Sequence, residues 1–402
     1  MEFSFISGNI LILLAVWAVT DFAHFLPDTY YSLYAESLGA SPQIIGSILS
    51  ASLFIMAFLQ LAGGYWADKR GRKIIIVATS FARALIYLVF ATAPTWHFIL
   101  FGEMLVGVAA LSYPAMSALV ADLLPPDKRG LGYSLSILAG VTSILSPVVA
   151  GTLYLKYGLV VGMRTAYLIV SICWFASGVM LLKLKETLKP EVTSTSLTRF
   201  WRECPKAFKE CITVWKFVPK TMLYLFLIFT PLMFFVRMCM PYYVLYASRF
   251  LKVDEFQWAV LQTVYSLTFY CSLLPAGKLV DTFGRKKPLI LSSVSGAIGM
   301  ALFLHGHQLG LYLFSMFSAV CNALAFTAYP SMQTDLTPKE YRGKMMGFSN
   351  FSDCILGSIA LLLGGILYEF SPITPFLLLL ATMTLTAITI AIFITEPQKK
   401  EA

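Results

Sequence analysis

The chain contains 402 residues, of which 58% are hydrophobic and only 13% are charged. A soluble domain needs more charged side chains to cover its surface, so the composition excludes an ordinary soluble protein and favours one that spans a lipid bilayer. The formal net charge is +9. The basic residues lie mostly in turns between apolar runs, however, which argues against nucleic acid as the partner.

Twelve apolar runs follow one another, each long enough for a membrane-spanning helix of ~20 residues. They cover residues 9–35, 43–67, 74–93, 97–122, 130–156, 164–184, 221–247, 257–280, 288–305, 309–334, 343–368 and 373–395. The first run has no basic head and no small-residue cleavage site, so we expect a retained span and not a removed signal peptide. The predicted organisation is a six-span half at 1–184, a linker at 185–220 and a second six-span half at 221–402.

The basic residues are divided unevenly between the two sides of these spans. Of the 30 Lys and Arg residues, the loops on one side hold only Lys156, Arg164, Arg249 and Lys252. Nearly all the others lie in the turns of the opposite side, in the linker and in the tail. Because positively charged loops stay in the cytoplasm, we expect both termini and the linker to be cytoplasmic, in a multi-pass protein of the plasma membrane.

The linker is polar, but apolar residues including Trp201, Phe208 and Trp215 recur in it at helical spacing. Basic residues occupy the other side of the same helical pattern. This arrangement predicts a basic amphipathic helix on the inner leaflet. The alternative is a solvated linker whose periodicity is due to chance.

One charged turn occurs twice. The pattern Gly-x-x-x-Asp-x-x-Gly-Arg-Lys lies at 64–73, after the second span, and returns 213 positions later at 277–286, after the eighth. Further patterns repeat at nearly the same offset, namely the Asp-Leu-x-Pro sequences that begin at Asp122 and Asp335, and the tyrosine-rich segments 30–35 and 242–247. Two copies of one hydrophobic unit with matching charged turns are typical of membrane transporters.

Together these residues resemble the major facilitator superfamily over essentially the whole chain, and the repeated turn is that family's hallmark. The resemblance implies an all-α membrane protein with twelve transmembrane helices in two pseudo-symmetric six-helix bundles. It also implies a secondary transporter that alternates access by rocking one bundle against the other.

The resemblance gives the charged turns a role as a conformational latch on the cytoplasmic side. It implies that Asp68 lies near the start of span eleven, where unpaired amides and the helix dipole favour an anion, and that Arg72 pairs with Asp122. The second copy would act in the same way. The complete set of implied latch residues is Asp68, Arg72, Asp122, Asp281, Arg285 and Asp335. The alternative is that these charges only orient the spans.

Span five resembles, in weakened form, the glycine-rich signature of the drug:proton antiporter branch. Pro147 removes a helical donor and allows bending, and small residues such as Gly151 permit close packing. These two residues are therefore candidates for hinge and packing roles, although ordinary helix packing explains them nearly as well. Span four departs from that branch, because Glu103 stands where an arginine is usual.

Ionisable residues within spans cost about 2.5–3.5 kcal/mol each on insertion scales, so each marks a candidate functional site. Asp21, His24 and Asp28 lie at i, i+3 and i+7 of span one, which places them on one helical stripe. A carboxylate there could load and release a proton. We therefore predict that Asp21→Asn abolishes proton-driven transport without unfolding the protein.

Other spans add further proton-coupling or substrate-binding candidates. These are Arg83, Glu103, Arg237, Asn322, Asn350 and Asp353. Arg83 and Glu103 lie in adjacent spans, where they form either a structural ion pair or a coupling site. Arg237 either binds an anionic group of the substrate or balances Asp28 or Asp353. The second option fits better, since charges in a membrane cavity generally pair.

These features favour proton-coupled efflux of lipophilic or amphipathic small molecules. The alternatives are a proton-coupled importer or uniporter of a small polar metabolite, and a non-transporting membrane sensor or a lipid flippase. The sequence has no nucleotide-binding loop, metal-ligand cluster or nucleophile–base pair, so we expect no enzymatic activity, no cofactor and no metal. The expected partners are the substrate, protons and the lipid bilayer, without nucleic acid, and the chain is expected to act as a monomer.

Overall fold

The computed structural model describes residues 8–123, 139–187, 213, 215 and 217–396. These residues fold almost entirely into helices, and the chain divides into two compact units. The first unit comprises Met1–Ser41 and Ile48–Cys204, and the second comprises Pro42–Ser47 and Pro205–Ala402. Within the described residues, 11 helical segments are long and apolar enough to cross a membrane.

The first unit is built around α7, along which α1 and α4 both pack. Its helices are α1 (Asn9–Asp28), α2 (Tyr31–Ser37), α3 (Pro42–Arg70), α4 (Arg72–Ala91), α5 (Trp96–Ala109), α6 (Ser112–Leu123) and α7 (Leu145–Leu182), with a 3₁₀ turn at Gly140–Ile144 before the last. The first residues of α3, Pro42–Ser47, are assigned to the second unit. Leu13, Ile76, Leu119 and Leu181 belong to a buried apolar cluster that joins α1, α4, α6 and α7. Their burial holds the four helices together.

The second unit begins with the same order of elements, a span, a short helix and two further spans. Its helices are α8 (Lys220–Cys239), α9 (Tyr243–Arg249), α10 (Glu255–Phe283), α11 (Lys286–His305), α12 (Gln308–Leu336), α13 (Arg342–Phe370) and α14 (Thr374–Phe393), with 3₁₀ turns at Met240–Tyr242 and Lys339–Tyr341. Helix α11 packs on α12 and α14, α10 packs on α12, and α8 packs on α13 and α14.

Helix α7 contains two membrane spans joined by a kink. With the turn before it, the segment Gly140–Leu182 has 43 residues. At 1.5 Å per residue this is about 65 Å, roughly twice the hydrocarbon core of a bilayer. Gly158 interrupts the segment with a φ of 73°, which glycine adopts without steric cost. Counting both parts, the described residues contain twelve spans, as the sequence predicted. One glycine joins these two parts, and not the several-residue loop that the sequence suggested.

The first span of each unit stops early and is followed by a short helix. Helix α2 follows α1, and α9 follows α8. Pro27 and Pro241 lie at these breaks, where proline lacks the N–H that a continuing helix requires. The match between 30–35 and 242–247 therefore corresponds to equivalent short helices in the two units.

Span four is also broken, although the sequence predicted one helix over 97–122. Helix α5 ends at Ala109 and α6 begins at Ser112, with two residues between them. The N–H groups of Ala110 and Leu111 bond to carbonyls three residues earlier, which is the tighter 3₁₀ pattern. The corresponding span of the second unit, α12, runs without interruption from Gln308 to Leu336.

Many large apolar side chains are exposed on the helices. Leu274 and Phe370, for example, are 80% and 86% exposed. Such exposure is unfavourable in water but is expected where acyl chains surround the protein. The described residues thus have the surface of a membrane protein.

Most of the predicted amphipathic helix of the linker lies outside the described residues. Trp215, which is described, packs edge-on against Phe226 and Phe348, with ring centroids 5.0 and 5.7 Å away. This side chain therefore contacts α8 and α13 of the second unit, and the amphipathic helix on the inner leaflet stays a prediction.

Candidate functional site

The repeated turn joins α3 to α4 in the first unit and α10 to α11 in the second. Gly71 has a φ of 92° and Gly284 a φ of 82°. A side chain at such angles is strained, so glycine is the residue that suits both positions. The tight turn leaves the first N–H groups of α4 and α11 without partners inside the helix.

Each turn holds an arginine against an aspartate of its own unit. Arg72, which is 7% exposed, donates to the Asp122 carboxylate and, at 2.9 Å, to the Ala118 carbonyl. In the second unit, Arg285 Nε lies 2.8 Å from Asp335 Oδ2. The structure thus brings together both arginine–aspartate pairs that the resemblance implies.

The other two implied latch residues are Asp68 and Asp281. The side chain of Asp68 lies outside what the structure describes, and Asp281 is exposed. A latch would join the two units, so this role stays a prediction for all six residues.

A glutamate to which the sequence patterns had not pointed completes each turn. Glu186 accepts a hydrogen bond of 2.9 Å from the Lys73 N–H. Glu396 accepts bonds of 2.6 and 2.9 Å from the N–H groups of Arg285 and Lys286. A carboxylate is favourable there because it meets unpaired N–H groups and the positive end of the helix dipole. Their positions in the sequence could have identified them. Each glutamate follows the last span of its half, and the two are 210 residues apart, close to the offset of the repeated turns.

Removing these helix caps should lower stability. We expect Glu186→Ala and Glu396→Ala each to reduce the apparent melting temperature by about 2–4 °C, because a lost cap costs about 1 kcal/mol. Glu340→Ala is the matched control, since Glu340 is exposed and caps neither turn. Tryptophan fluorescence of the detergent-solubilised protein measures the shift. Equal melting temperatures for all three variants would rule out a stabilising role for the caps.

The predicted stripe of α1 contains two exposed groups and a half-buried one. His24 Nε2 lies 4.0 Å from Asp28 Oδ2, and these side chains are 55% and 42% exposed. Asp21 is half-buried and lies one turn earlier on the helix. The stripe therefore offers two carboxylates with a histidine between them.

Span five holds α1 through hydroxyl groups. Thr142 and Ser146 donate to backbone carbonyls of α1 at 2.6 and 2.8 Å. Pro147 follows directly, in the first turn of α7, where a missing N–H costs little. Pro147 and Gly151 are both buried, and their hinge and packing roles stay predictions.

Glu103, on α5, lies close to hydroxyl groups from three other helices. Ser52 of α3 and Tyr31 of α2 approach its carboxyl. Tyr167 of α7 is 1% exposed, and its buried hydroxyl has no hydrogen-bond partner among the described residues. That hydroxyl lies within electrostatic range of Glu103 and Asp28. Hydroxyls can donate to a charged carboxylate and accept from a protonated one, so these surroundings serve both forms of Glu103.

Arg83 does not neutralise Glu103, so the structural ion pair considered for them is not formed. Arg83 is 4% exposed. Its guanidinium lies over the rings of Tyr113 and Trp174, 5.2 and 4.7 Å from their centroids, and donates to the Ala109 carbonyl at 3.4 Å. Within the part of the chain that the structure describes, neither Arg83 nor Glu103 forms an ion pair.

Arg237 of α8 pairs with Asp353 of α13 in the second unit. Their Nη2 and Oδ2 atoms are 2.9 Å apart, and the side chains are 37% and 35% exposed. Tyr329 of α12 lies within electrostatic range of Asp353. Asn322 and Asn350 are exposed, and Asn322 donates at 2.9 Å to a carbonyl of its own helix. Of the partners considered for Arg237, the structure places Asp353 beside it.

The Arg237–Asp353 pair should show energetic coupling. We expect Arg237→Met and Asp353→Asn each to lower the apparent melting temperature more than the double variant does, because each single change leaves one charge unpaired. The coupling should be about 1 kcal/mol, since solvent screens a pair that is one-third exposed. A double-mutant cycle of thermal unfolding measures it, and additive effects would contradict the expectation.

Comparison with known proteins identifies the family. The sequence profile of the Major Facilitator Superfamily matches residues 11–250 and 225–402. The multi-drug resistance efflux pump PmrA of Streptococcus pneumoniae serotype 4 is 26% identical over 334 residues, covering 80% of this chain and 79% of PmrA. The multidrug resistance protein MdtG of Enterobacter lignolyticus is 27% identical over 315 residues, covering 75% of this chain and 72% of MdtG. These relatives agree with the resemblance to the drug:proton antiporter branch.

Solved structures share the fold. The peptide transporter POT in complex with sulfate superposes with a TM-score of 0.74 at 14% identity, covering 96% of this chain and 93% of POT. The nucleoside transporter NupG gives 0.74 at 15% identity, covering 96% of this chain and all of NupG. At such identities the likeness concerns the fold alone. The paired turns, the twelve spans and the profile match lead to one conclusion: this multi-pass membrane protein belongs to the Major Facilitator Superfamily of transporters.

Proposed function

We propose that this transporter exports lipophilic or amphipathic small molecules in exchange for protons. The observation that carries the proposal is Glu103, a carboxyl group on a membrane-crossing helix, close to hydroxyl groups and with no ion-pair partner among the described residues. Charged groups within a membrane are costly and are typical of proton relays and substrate paths. The names of PmrA and MdtG as multidrug proteins support the direction and the substrate class.

In this mechanism Glu103 changes its charge during each cycle of alternating access. Proton uptake from outside removes the negative charge and weakens the hold on the substrate. Proton release to the cytoplasm restores the charge and the hold. Asp28 lies within electrostatic range of Glu103, and His24 lies beside Asp28, so these groups offer a route by which the proton reaches or leaves the carboxyl.

Import of a small polar metabolite is the main rival, and no structural observation favours it. An anionic substrate group would need Arg237, but that guanidinium already pairs with Asp353 at 2.9 Å. Met233 and Phe234 lie one helical turn before Arg237 on α8, and such side chains suit an apolar ligand better. We therefore keep efflux as the proposed direction.

Reconstituted vesicles test the proposal. In proteoliposomes with an acidic lumen and a lumenal pH dye, adding a transported compound outside should drive protons out as the compound enters. Loss of lumenal acidity that depends on both protein and compound supports exchange with protons. Compound uptake without proton movement would indicate a uniporter, and binding without uptake would indicate a sensor; either result contradicts the proposal.

We also propose that both termini face the cytoplasm and that a monomer carries out transport. The basic turns and linker support the orientation through the positive-inside rule. A reporter enzyme that is active only in the cytoplasm, fused after Ala402, should be active. Native mass spectrometry of the detergent-solubilised protein should give the mass of one chain, 44.6 kDa. An inactive fusion contradicts the orientation, and a stable dimer contradicts the monomer.

A further inference from the structure

The break in span four leaves a helix end inside a membrane span. At this break the carbonyl of Ala109, the last residue of α5, accepts a hydrogen bond of 3.4 Å from Arg83 Nη2 and one of 3.0 Å from Ser112 Oγ. The last carbonyls of a helix carry partial negative charge, so a cation there is favourable. Arg83 thus caps the C-terminus of α5.

Two aromatic rings hold the guanidinium at this helix end. Tyr113 lies on α6 and Trp174 on α7, and the Arg83 Cζ atom is 5.2 and 4.7 Å from their ring centroids. Cation–π attraction strengthens when both partners are shielded from water, and Arg83 is 4% exposed. Arg83 of α4 therefore contacts both parts of span four, α5 and α6, and also the part of α7 that forms span six.

The other face of the break packs against α3. Gly63 of α3 lies directly on the Leu111 backbone, where a Cβ atom would have no room. Gly107, one turn before the break, also packs closely against α3. A Cβ atom at Gly107 would lie only 2.6 Å from the Ser52 carbonyl oxygen. Close packing on α3 and the arginine cap from α4 together fix where α5 ends.

The second unit supplies an internal comparison. At the offset of 213 between the repeated turns, Arg83 corresponds to Gly296 and Ala110 corresponds to Ala323. Helix α12 continues through Ala323 without a break. The space beside Gly296 is occupied by the side chains of Cys321 and Met383. The arginine and the break occur together in one unit, and both are missing at the corresponding described positions of the other.

We infer that Arg83 is a positioning residue that holds span four broken and thereby places Glu103 beside Ser52, Tyr31 and Tyr167. Glu103 lies six residues before Ala109 on the same helix, about 9 Å along its axis. A change in the direction of α5 therefore moves it relative to helices α2, α3 and α7. The charge of Arg83 is balanced by a carbonyl and two rings, which leaves Glu103 free to change protonation. The inference rests on the proposed role of Glu103 in proton coupling.

Arg83→Gln tests the inference with two measurements on the full-length protein. We expect amide hydrogen exchange in peptides covering residues 105–115 to become about tenfold faster, because the break loses its cap. Transport driven by a pH gradient should fall about tenfold, while substrate affinity at fixed pH changes by less than about threefold. Arg83→Lys keeps the charge without the planar fork and should lie between wild type and Arg83→Gln in both measurements.

Arg164→Gln is the matched control. Arg164 also donates to a backbone carbonyl, that of Ala93 after the end of α4, at 3.0 Å. Its replacement should leave exchange at 105–115 and gradient-driven transport at wild-type values. Should Arg83→Gln fail to fold, Trp174→Leu removes one of the rings that hold the guanidinium and should change both measurements in the same direction.

The outcomes separate this inference from the proposed function. Unchanged exchange at 105–115 in Arg83→Gln or, where that variant does not fold, in Trp174→Leu overturns the positioning role, even if the wild-type protein couples transport to protons. Equal losses of affinity and gradient-driven transport also overturn it, because they indicate general damage. If the wild-type protein moves its substrate without protons, the proposed function fails. The capping of α5 by Arg83 is tested separately, because unchanged amide hydrogen exchange at 105–115 in Arg83→Gln would reject it in that case too.

Discussion

Glu103→Gln is expected to abolish transport driven by a pH gradient while the protein still folds and binds its substrate, with lower affinity because the carboxylate charge is lost. Glutamine has nearly the same shape and keeps an oxygen acceptor near the Ser52 and Tyr31 hydroxyls, but it cannot release a proton. Proteoliposomes measure both properties. Uptake driven by the gradient should fall to the level of protein-free vesicles. Exchange of labelled for unlabelled substrate, which needs no proton, should continue at substrate concentrations that saturate the weakened site. Loss of both activities would contradict the assignment.

Asp21→Asn is the matched comparison, because the sequence predicted Asp21 as the proton carrier. In the structure, Asp21 lies near His24 of its own helix, whereas Glu103 lies near the Ser52 and Tyr31 hydroxyls of two other helices. The sequence alone predicts complete loss of gradient-driven uptake in this variant. With Glu103 as the proton carrier, we instead expect it to retain part of the uptake that the Glu103 variant loses. Complete loss in Asp21→Asn, with normal uptake in Glu103→Gln, would return the role to Asp21.

Arg72→Gln should be the most destabilising change in the charged turns. Arg72 is 7% exposed and bonds to both Asp122 and the Ala118 carbonyl, so its loss leaves two acceptors without their donor at a cost of about 1–3 kcal/mol. Asp122→Asn should cost less, since the Asp122 side chain is 39% exposed and asparagine can still accept a bond. Thermal unfolding in detergent checks the order, and the reverse order would contradict this account.

The transport rate of the same variants tests the latch. If the charged turns bias the equilibrium between access states, Arg72→Gln and Arg285→Gln should change the rate of substrate exchange even where the protein remains folded at the assay temperature. A changed melting temperature with an unchanged exchange rate would show that the pairs are structural and not part of a latch.

The parts of the fold that the sequence predicted depend on local patterns. Length and apolar content define a membrane span within ~20 residues, and the charged turn is recognisable within ten. The twelve spans follow from such patterns. The short helices after the first span of each unit were not predicted, because the apolar pattern runs through Pro27 and Pro241 and gave single spans at 9–35 and 221–247. The arginine–aspartate pairs followed from a family resemblance that covers the whole chain.

The parts that it did not predict depend on contacts between distant residues. The apolar pattern continues through Ala110 and Leu111, so nothing local indicates that span four breaks there. The residue that caps the break, Arg83, is 26 positions away from its carbonyl acceptor. Glu186 is likewise 113 positions from Lys73. Charge alone did not predict the partners of Arg83. The sequence suggested the Glu103 carboxylate, whereas the structure has two aromatic rings and a backbone carbonyl beside the guanidinium.

The most direct test of the account is to count protons and substrate molecules in the same vesicles. With a lumenal pH dye and labelled substrate, the wild-type protein should move protons and substrate in opposite directions at a fixed ratio, and Glu103→Gln should exchange substrate with no proton movement. Substrate transport by the wild-type protein without protons, or an unchanged ratio in Glu103→Gln, would contradict the account.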